Sequence, residues 1–260
     1  MADDLLLADV RLHDGGAVDL RIAGGCITAI GRSLAADGAT RIEGRGRLVL
    51  PGLVEAHTQL DKTYLGLTRV PHRAGPAIAD KIANDRALKR ELALDPVRQS
   101  ARQVALTVAA GTTRIRTHVD IDTEIGLRHL DGVLATREAW RDVVDIEIVA
   151  FPQSGLLIRP GTADLLDRAL AAGADLLGGL DPSAIDRDPK GHVDVLFKLA
   201  ERHGKGIDIH LHEPGELGAF TVELLLERIA AQGMKGMVTL SHAFCLGMAD
   251  EAYLGWLIVG

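Results

Sequence analysis

Five short apolar segments of the sequence each end in side chains that can hold a metal ion or transfer a proton. The polar residues at these ends are His57, His118, Gln153, the pair His210 and Glu213, and His242. Neutral imidazoles bind Zn, Fe or Mn, and a metal with an open position lowers the pKa of a bound water towards about 7. A lone histidine at a strand end is more often a structural residue. The occurrence of five such ends is therefore what predicts a metal-dependent hydrolytic site.

The segments that would position these residues alternate between apolar strands and amphipathic helices. We predict strands near residues 53–57, 112–118, 145–151, 175–180, 207–212 and 237–242. Helical patterns lie near residues 76–93, 95–110, 125–141, 162–172, 190–204 and 218–233. Strands that alternate with helices indicate βαβ units and a parallel sheet. In a (β/α) barrel the active site lies at the carboxyl ends of the strands.

The first part of the chain has a different pattern, with predicted strands near residues 5–12, 18–22 and 26–30. The predicted fold class is therefore α/β, with a (β/α) TIM-type barrel over residues 52–260 and a small N-terminal β segment over 1–51. Six strands are countable in the barrel part, whereas a closed barrel requires eight. We therefore expect the barrel to be incomplete. A complete open sheet that binds a small ligand without metal is the alternative.

The composition restricts the class of protein. Of the 260 residues 47% are apolar and 3% aromatic, so aliphatic side chains must build a large core. The formal net charge of −7 argues against a nucleic-acid partner, which usually requires a basic surface. No run of about 18 apolar residues occurs, so no membrane span is expected. Cys26 and Cys245 form no disulfide pattern and the N-terminus lacks a signal-peptide pattern, which favours a cytoplasmic protein.

Several of the strand-end segments together resemble the motifs of a known enzyme family. They read PGLVEAHTQLDKT at residues 51–63, RTHVD at 116–120, IVAFPQSG at 148–155, IDIHLHE at 207–213 and SH at 241–242. As a set they resemble the amidohydrolase superfamily, and in particular its cytosine deaminase-like branch, which includes triazine-ring aminohydrolases. The resemblance runs from about residue 5 to the end of the chain.

This resemblance implies a fold and a reaction. The fold is a (β/α) barrel flanked by a small β-sandwich that both chain termini build, so residues 1–51 would form one half of that sandwich. The reaction is hydrolysis of a non-peptide C–N bond in a cyclic amidine such as cytosine or a related pyrimidine or triazine. One divalent metal ion (Zn, Fe or Mn) is the implied cofactor, a small nitrogen heterocycle the implied partner, and a homo-oligomer the implied assembly.

The resemblance also implies roles for the metal-binding and catalytic residues. His57 and His210 match metal ligands, Glu213 matches the general acid/base, and His242 matches the imidazole that polarises the reacting water. The family has a second histidine two residues after the first, where this chain has Gln59, a weaker ligand. A further family ligand is an aspartate at the end of the eighth strand, which has no counterpart among the six strands predicted here.

Four further residues match positions that contact or support the substrate. Gln153 matches the side chain that reads the ring carbonyl or ring nitrogen. Leu60 and Asp61 belong, with Lys62, to the loop after the first motif, where the resemblance implies that Leu60 touches the substrate. His118 lies at the second strand end, where the resemblance implies a supporting role.

Two interpretations of the whole chain remain open at this point. The first is a working hydrolase, whose leaving group the motifs do not identify because deaminases and N-alkylamine hydrolases share them. The second is a truncated or metal-deficient homologue that acts as a non-catalytic binding module, an interpretation that Gln59 motivates.

Overall fold

The computed structural model describes residues 4–13, 15–71 and 73–259, with the backbone alone for residues 258 and 259. The chain divides into two compact units between Gly52 and Leu53, and each unit contains its own sheet. Within the described ranges, no helix has the length and apolar character needed to cross a bilayer.

The first unit is a four-stranded sheet. Its strands are β1 (Leu5–Arg11), β2 (Ala17–Ala23), β3 (Cys26–Gly31) and β4 (Thr40–Leu48). The order is β3-β2-β1-β4, in which β1 pairs antiparallel with β2, β2 antiparallel with β3, and β4 parallel with β1. The first three strands confirm the sequence-based prediction.

Strand β4 is missing from the sequence-based prediction because its composition hides it. The strand reads TRIEGRGRL, with a charged side chain at every second position and two glycines. Its backbone nevertheless follows β1 closely, since a Cβ atom at Gly44 would lie 2.3 Å from Val10 Cγ1. Glycine therefore permits a contact that hydrophobic patterning does not reveal.

The second unit is an α/β fold built on six parallel strands. The strands are β5 (Leu53–Thr58), β6 (Thr112–Asp120), β7 (Asp145–Phe151), β8 (Leu176–Leu180), β9 (Gly206–His210) and β10 (Val238–Ser241). They pair in sequence order from β5 at one edge to β10 at the other. This arrangement confirms the prediction of a parallel sheet.

Helices connect these strands. They are α1 (Ile78–Leu92), α2 (Pro96–Ala109), α3 (Arg128–Trp140), α4 (Thr162–Ala172), α5 (Pro189–His203), α6 (Gly215–Gln232) and α7 (Glu251–Val259). Short 3-10 turns cover Leu60–Lys62 and Phe244–Met248. The six predicted strands and the six predicted helices before α7 agree with the structure to within three residues at each end.

Aliphatic side chains from the strands and helices form one large core in this unit. Representative buried members are Ile115, Ile148, Leu177, Val104, Leu166 and Leu196. Burial of each such side chain contributes about 1.5–3 kcal/mol, and it explains why β7 and β9 are almost continuously buried. Because the strands are parallel, their carboxyl ends lie together at one edge of the sheet.

Helix ends are set by local chemistry that the sequence already indicates. Asp95 accepts hydrogen bonds from the backbone N–H of Val97 and Arg98 at 3.0 and 3.4 Å and so caps α2. Gly173 and Gly204 end α4 and α5 in the left-handed conformation. These stops fix the lengths of the helices and therefore where the next strand begins.

The close approach of β8 to β7 gives a test of this packing. A Cβ atom at Gly178 would lie 2.8 Å from the carbonyl oxygen of Ala150 and 2.9 Å from Phe151 Cα. We expect Gly178→Ala to lower the free energy of unfolding by about 1–3 kcal/mol, because neither backbone atom can move aside cheaply. Chemical denaturation measures this change.

Gly247→Ala is the control, because a Cβ atom there meets nothing within 4 Å. Its effect should stay within about 1 kcal/mol of the parent protein. Equal losses in the two variants would contradict the packing described for β7 and β8.

Candidate metal and active site

A cavity of about 220 Å³ lies at the carboxyl ends of the strands of the second unit. Its wall contains five of the predicted site residues, His57, Gln59, Gln153, His210 and His242. Larger surface cavities of about 390–630 Å³ also occur, but none of those described contains a histidine. The smaller cavity is therefore the candidate site, because it alone combines shape with the side chains that the chemistry requires.

Three imidazoles pack against one another at the base of this site. One ring nitrogen each of His57, His118 and His210 lies within 4.8 Å of the other two. The ring centroids are 4.3 Å apart for His57 and His118, 4.7 Å for His57 and His210, and 4.5 Å for His118 and His210. This spacing suits three ligands directed at one ion.

Two histidines of this cluster have buried ring nitrogens without a hydrogen-bond partner. Both ring nitrogens of His118 and both of His210 are buried without one. A buried polar atom left unpaired costs about 1–3 kcal/mol, so such atoms are rare and call for an explanation. A divalent cation bound by these nitrogens is an explanation that also accounts for their convergence.

The histidines are held in the neutral form that binds metals. Burial, followed by the neighbouring imidazoles, lowers the pKa of His210 to about 2 and that of His57 to about 4. Each ring is therefore uncharged at pH 7, with a lone pair available for a cation. Protons would compete for these two rings only in strongly acidic solution.

A buried aspartate supports the cluster. Asp208 accepts hydrogen bonds from Ser241 Oγ at 2.7 Å and from Arg116 Nη1 at 2.9 Å. Its Oδ1 also lies 3.2 Å from His118 Nε2, a contact that is not a hydrogen bond. Burial disfavours the charge on Asp208, but contacts with His118, Ser241 and Arg116 outweigh it and hold the pKa well below its usual range.

Asp208 has no role in the sequence-based prediction, yet a signal for it exists. It precedes His210 by two residues on β9, so the two side chains leave the strand on the same face. His118, in turn, is fully buried and absent from the cavity wall. A place among the metal ligands fits that position better than the substrate-binding role predicted from sequence.

Two further histidines of the cavity wall, His212 and His242, stack on each other. The ring of His242 lies 4.9 Å from those of His57 and His210 and stacks on His212 at 4.4 Å. His212 Nδ1 is 2.8 Å from Asp181 Oδ2, and its backbone N–H donates to Asp181 Oδ1 at 2.6 Å. Burial, followed by the adjacent His212, lowers the pKa of His242.

The backbone is strained where these residues leave their strands. Asp181 has a φ of 37° and His242 a φ of 71°, both in the left-handed region that non-glycine residues rarely occupy. Such strain persists where surrounding contacts over-determine a functional geometry. His212, which the sequence-based prediction gives no role, is thus a candidate site residue with Asp181 as its support.

The structure does not bring the predicted acid/base into the cavity. Glu213 is buried, and its Oε1 accepts from the backbone N–H groups of Ser183 and Ala184 at 2.7 and 2.8 Å. Its Oε2 accepts from the Thr221 hydroxyl at 2.7 Å. The acid/base role of Glu213 therefore stays a prediction, and it requires this carboxylate to leave at least one of these partners.

The chain is similar to known proteins over nearly its whole length. No family model matches the chain. Over 96% of its length it is 32% identical to N-isopropylammelide isopropyl amidohydrolase from Pseudomonas sp. (strain ADP), and it spans 64% of that protein. The crystal structure of N-isopropylammelide isopropylaminohydrolase from Burkholderia multivorans ATCC 17616 superposes over 99% of the chain and 65% of that structure, with a TM-score of 0.93 and 52% identity.

The chain belongs to the amidohydrolase superfamily, in its cytosine deaminase-like branch. A second solved structure, 5-methylcytosine deaminase from Klebsiella pneumoniae liganded with 5-fluorocytosine, is 29% identical with a TM-score of 0.79. The match covers 98% of the chain described here and 62% of the deaminase. The chain thus spans slightly less than two thirds of the length of these relatives.

The loop residues predicted to contact substrate are absent from the cavity wall. The side chain of Leu60 is fully buried in the core, and its N–H donates to Thr117 Oγ1 at 3.0 Å. Asp61 is also buried, with Oδ2 2.8 Å from His129 Nδ1. Substrate contact by Leu60 and Asp61 stays a prediction against which their burial argues.

The histidine cluster predicts how metal affinity depends on each side chain. We expect His118→Ala to weaken Zn²⁺ binding by more than about 100-fold, because even groups that only orient metal ligands contribute about 10–100-fold. Competition with a chromophoric chelator measures the affinity. Asp208→Asn, which leaves all three imidazoles in place, should lose about 10–100-fold.

His203→Gln is the matched control, because this histidine pairs with Asp167 on the helices, away from the cluster. It should bind Zn²⁺ as the parent protein does. Unchanged affinity in His118→Ala would show that His118 is not a ligand.

Proposed function

We propose that this chain carries the metal-binding part of a hydrolase that cleaves a non-peptide C–N bond of a cyclic amidine, such as cytosine or a related pyrimidine or triazine. The observation that carries the proposal is the cluster of His57, His118 and His210, with unpartnered nitrogens at the carboxyl ends of parallel strands. The relatives named above as aminohydrolase and deaminase support the same class of reaction.

The donor set fits one divalent ion, with His57, His118 and His210 as ligands and Gln59 on the adjacent wall as a weaker candidate. Three imidazoles suit Zn, Fe or Mn. When bound, such an ion supplies Lewis acidity towards a water molecule and the substrate.

The remaining cavity residues handle protons and orient the ring. His242, neutral near pH 7, is placed to accept a proton from a water in the cavity, and His212 stacks against it with its own ring held by Asp181. Gln153 presents an amide to the ring, as argued below. The cavity of about 220 Å³ is smaller than the roughly 300–1,000 Å³ that drug-sized ligands occupy, which favours a single heterocycle.

The fold proposal follows from the sheet order. We infer that the six strands are six of the eight in a TIM-type barrel, and that the first unit contributes to a β-sandwich of the kind the resemblance implies. Free cysteines at the exposed Cys26 and the buried Cys245 fit the cytoplasmic location predicted from sequence.

A non-catalytic binding module is the second candidate function. Two observations favour it: Gln59 stands where the resemblance implies an imidazole, and Glu213 is bonded to Ser183, Ala184 and Thr221 instead of facing the cavity. Such a protein would bind metal and ring without turnover, which distinguishes it from the hydrolase.

A substrate screen with a histidine variant tests the proposal. We expect the metal-loaded protein to release ammonia or an alkylamine from at least one aminopyrimidine or aminotriazine. His242→Asn should lower kcat/KM by about 10²–10⁴-fold, the usual contribution of a positioned proton-transfer group. Metal content should be unchanged in this variant, and mass spectrometry of the products identifies the bond cleaved.

The control is again His203→Gln, which should retain full activity. Metal bound at one per chain without turnover of any compound would favour the binding module. Turnover that survives complete removal of the metal would exclude the proposed hydrolase.

A further inference from the structure

Lys62 and Asp85, which contact the amide of Gln153, belong to a group of four charged side chains. Lys62 Nζ lies 2.8 Å from Asp120 Oδ1 and 3.4 Å from Asp85 Oδ2, and Lys89 Nζ lies 2.5 Å from Asp120 Oδ2. The group contains two positive and two negative charges, so it is balanced.

Lys62 stays charged despite its burial. It is 7% exposed, and its partner Asp120 is fully buried. Burial opposes the charge on Lys62, but Asp120 and Asp85 outweigh it and raise the pKa of this ammonium. Lys62 is therefore an ammonium group, kept charged by its carboxylate partners, and it can donate hydrogen bonds.

This network contacts both ends of the Gln153 amide. Oε1 accepts from Lys62 Nζ at 2.5 Å, and Nε2 donates to Asp85 Oδ2 at 3.3 Å. An ammonium only donates and a carboxylate only accepts. Rotation of the amide by 180° would set two donors face to face and two acceptors face to face.

We propose that Lys62 and Asp85 are positioning residues that lock the Gln153 amide in one polarity and thereby decide which order of donor and acceptor the cavity accepts. One lone pair on Oε1 and one N–H on Nε2 remain for a ligand. A locked pair of this kind complements a ring edge that presents a donor and an acceptor in one order and excludes the reverse order. This rests on the proposed function, in that the cavity is taken as the place where the heterocycle binds.

The lock also connects the amide to a wall of the cavity. Asp85 and Lys89 both lie on α1, and the same helix supplies Ile78, Lys81 and Ile82 to the cavity wall. The buried ion pairs therefore have two consequences, since they fasten α1 and they orient Gln153. The experiment must distinguish the orientation of Gln153 from the attachment of α1.

The decisive variant is the double substitution Lys62→Met/Asp85→Asn. It removes one charge of each sign, so that Lys89 and Asp120 remain paired, and it leaves both ends of the amide without an ionic partner. The control is Glu91→Gln, which removes a carboxylate on the same helix from an exposed pair with Arg73. The single variant Asp85→Asn provides the same test, with a smaller effect, if the double variant does not fold.

Two small rings serve as probes. 2-Pyridone presents a ring N–H and an exocyclic oxygen, whereas 2-aminopyridine in alkaline buffer presents a ring nitrogen acceptor and an exocyclic N–H. The parent protein and Glu91→Gln should bind one ring about tenfold or more tightly than the other, because the wrong order leaves buried polar atoms unpaired. In the double variant the ratio of the two affinities should fall towards unity, because the amide then turns to suit either ring.

A second measurement reports on the amide itself. In ¹⁵N-resolved NMR spectra the Nε2–H of Gln153 that donates to Asp85 should be shifted downfield and protected from exchange in the parent protein and in Glu91→Gln. Both features should be lost in the double variant. If neither ring binds to any form while this NMR change occurs, the lock stands and the proposed function fails. An unchanged ring preference, or an unchanged amide signal in the double variant, would overturn the lock.

Discussion

The geometry of this site depends on three imidazoles packed together, two of which have buried ring nitrogens without a hydrogen-bond partner. Four such nitrogens, on His118 and His210, are buried. At about 1–3 kcal/mol each, their cost is comparable to the whole stability of a typical domain, about 5–15 kcal/mol. A fold can hold these rings only if the strands beneath them are rigid, and a bound cation offsets the cost directly. The unpaired nitrogens therefore connect the rigidity of the aliphatic core with the proposed metal site.

Alternation of side chains along a strand places the polar residues of β6 on one face of the sheet. On β6 the residues Arg116, His118 and Asp120 leave the strand on one side, while Ile115 and Val119 enter the core on the other. Each polar residue of β6 then meets a different partner. Arg116 reaches Asp208, His118 joins the imidazoles, and Asp120 holds the lysines that contact Gln153. One short strand thus connects the metal site with the proposed amide lock.

The sequence predicts the elements better than it predicts the site. Apolar periodicity and the caps at Asp95, Gly173 and Gly204 are local, so strands and helices of the second unit are found to within three residues. Strand β4 escapes because its pairing rests on backbone contacts permitted by Gly44, which hydrophobic patterning does not report.

The site residues divide along a similar line. His57, His210, His242 and Gln153 are found because they lie at strand ends, a position readable from sequence. The approach of His118 to His57 and His210, its contact with Asp208 and the contact between His212 and Asp181 arise between strands that are distant in the chain. Side-chain rotamers decide the rest, as Glu213 shows by bonding to Ser183, Ala184 and Thr221 instead of facing the cavity.

The charged groups next to Gln153 are paired among themselves. Lys62 pairs with Asp85 and Asp120, and Lys89 pairs with the same two carboxylates. These groups therefore offer no unpaired counter-charge to a ligand at the amide, and a charge left unpaired in a buried site is costly. His57 and His210 are neutral at pH 7, since burial lowers their pKa values to about 4 and about 2, so positive charge at the cavity would come from the proposed divalent ion and from Lys81 in the wall. At Gln153 itself, hydrogen bonds to the amide and not ion pairs would hold a heterocycle.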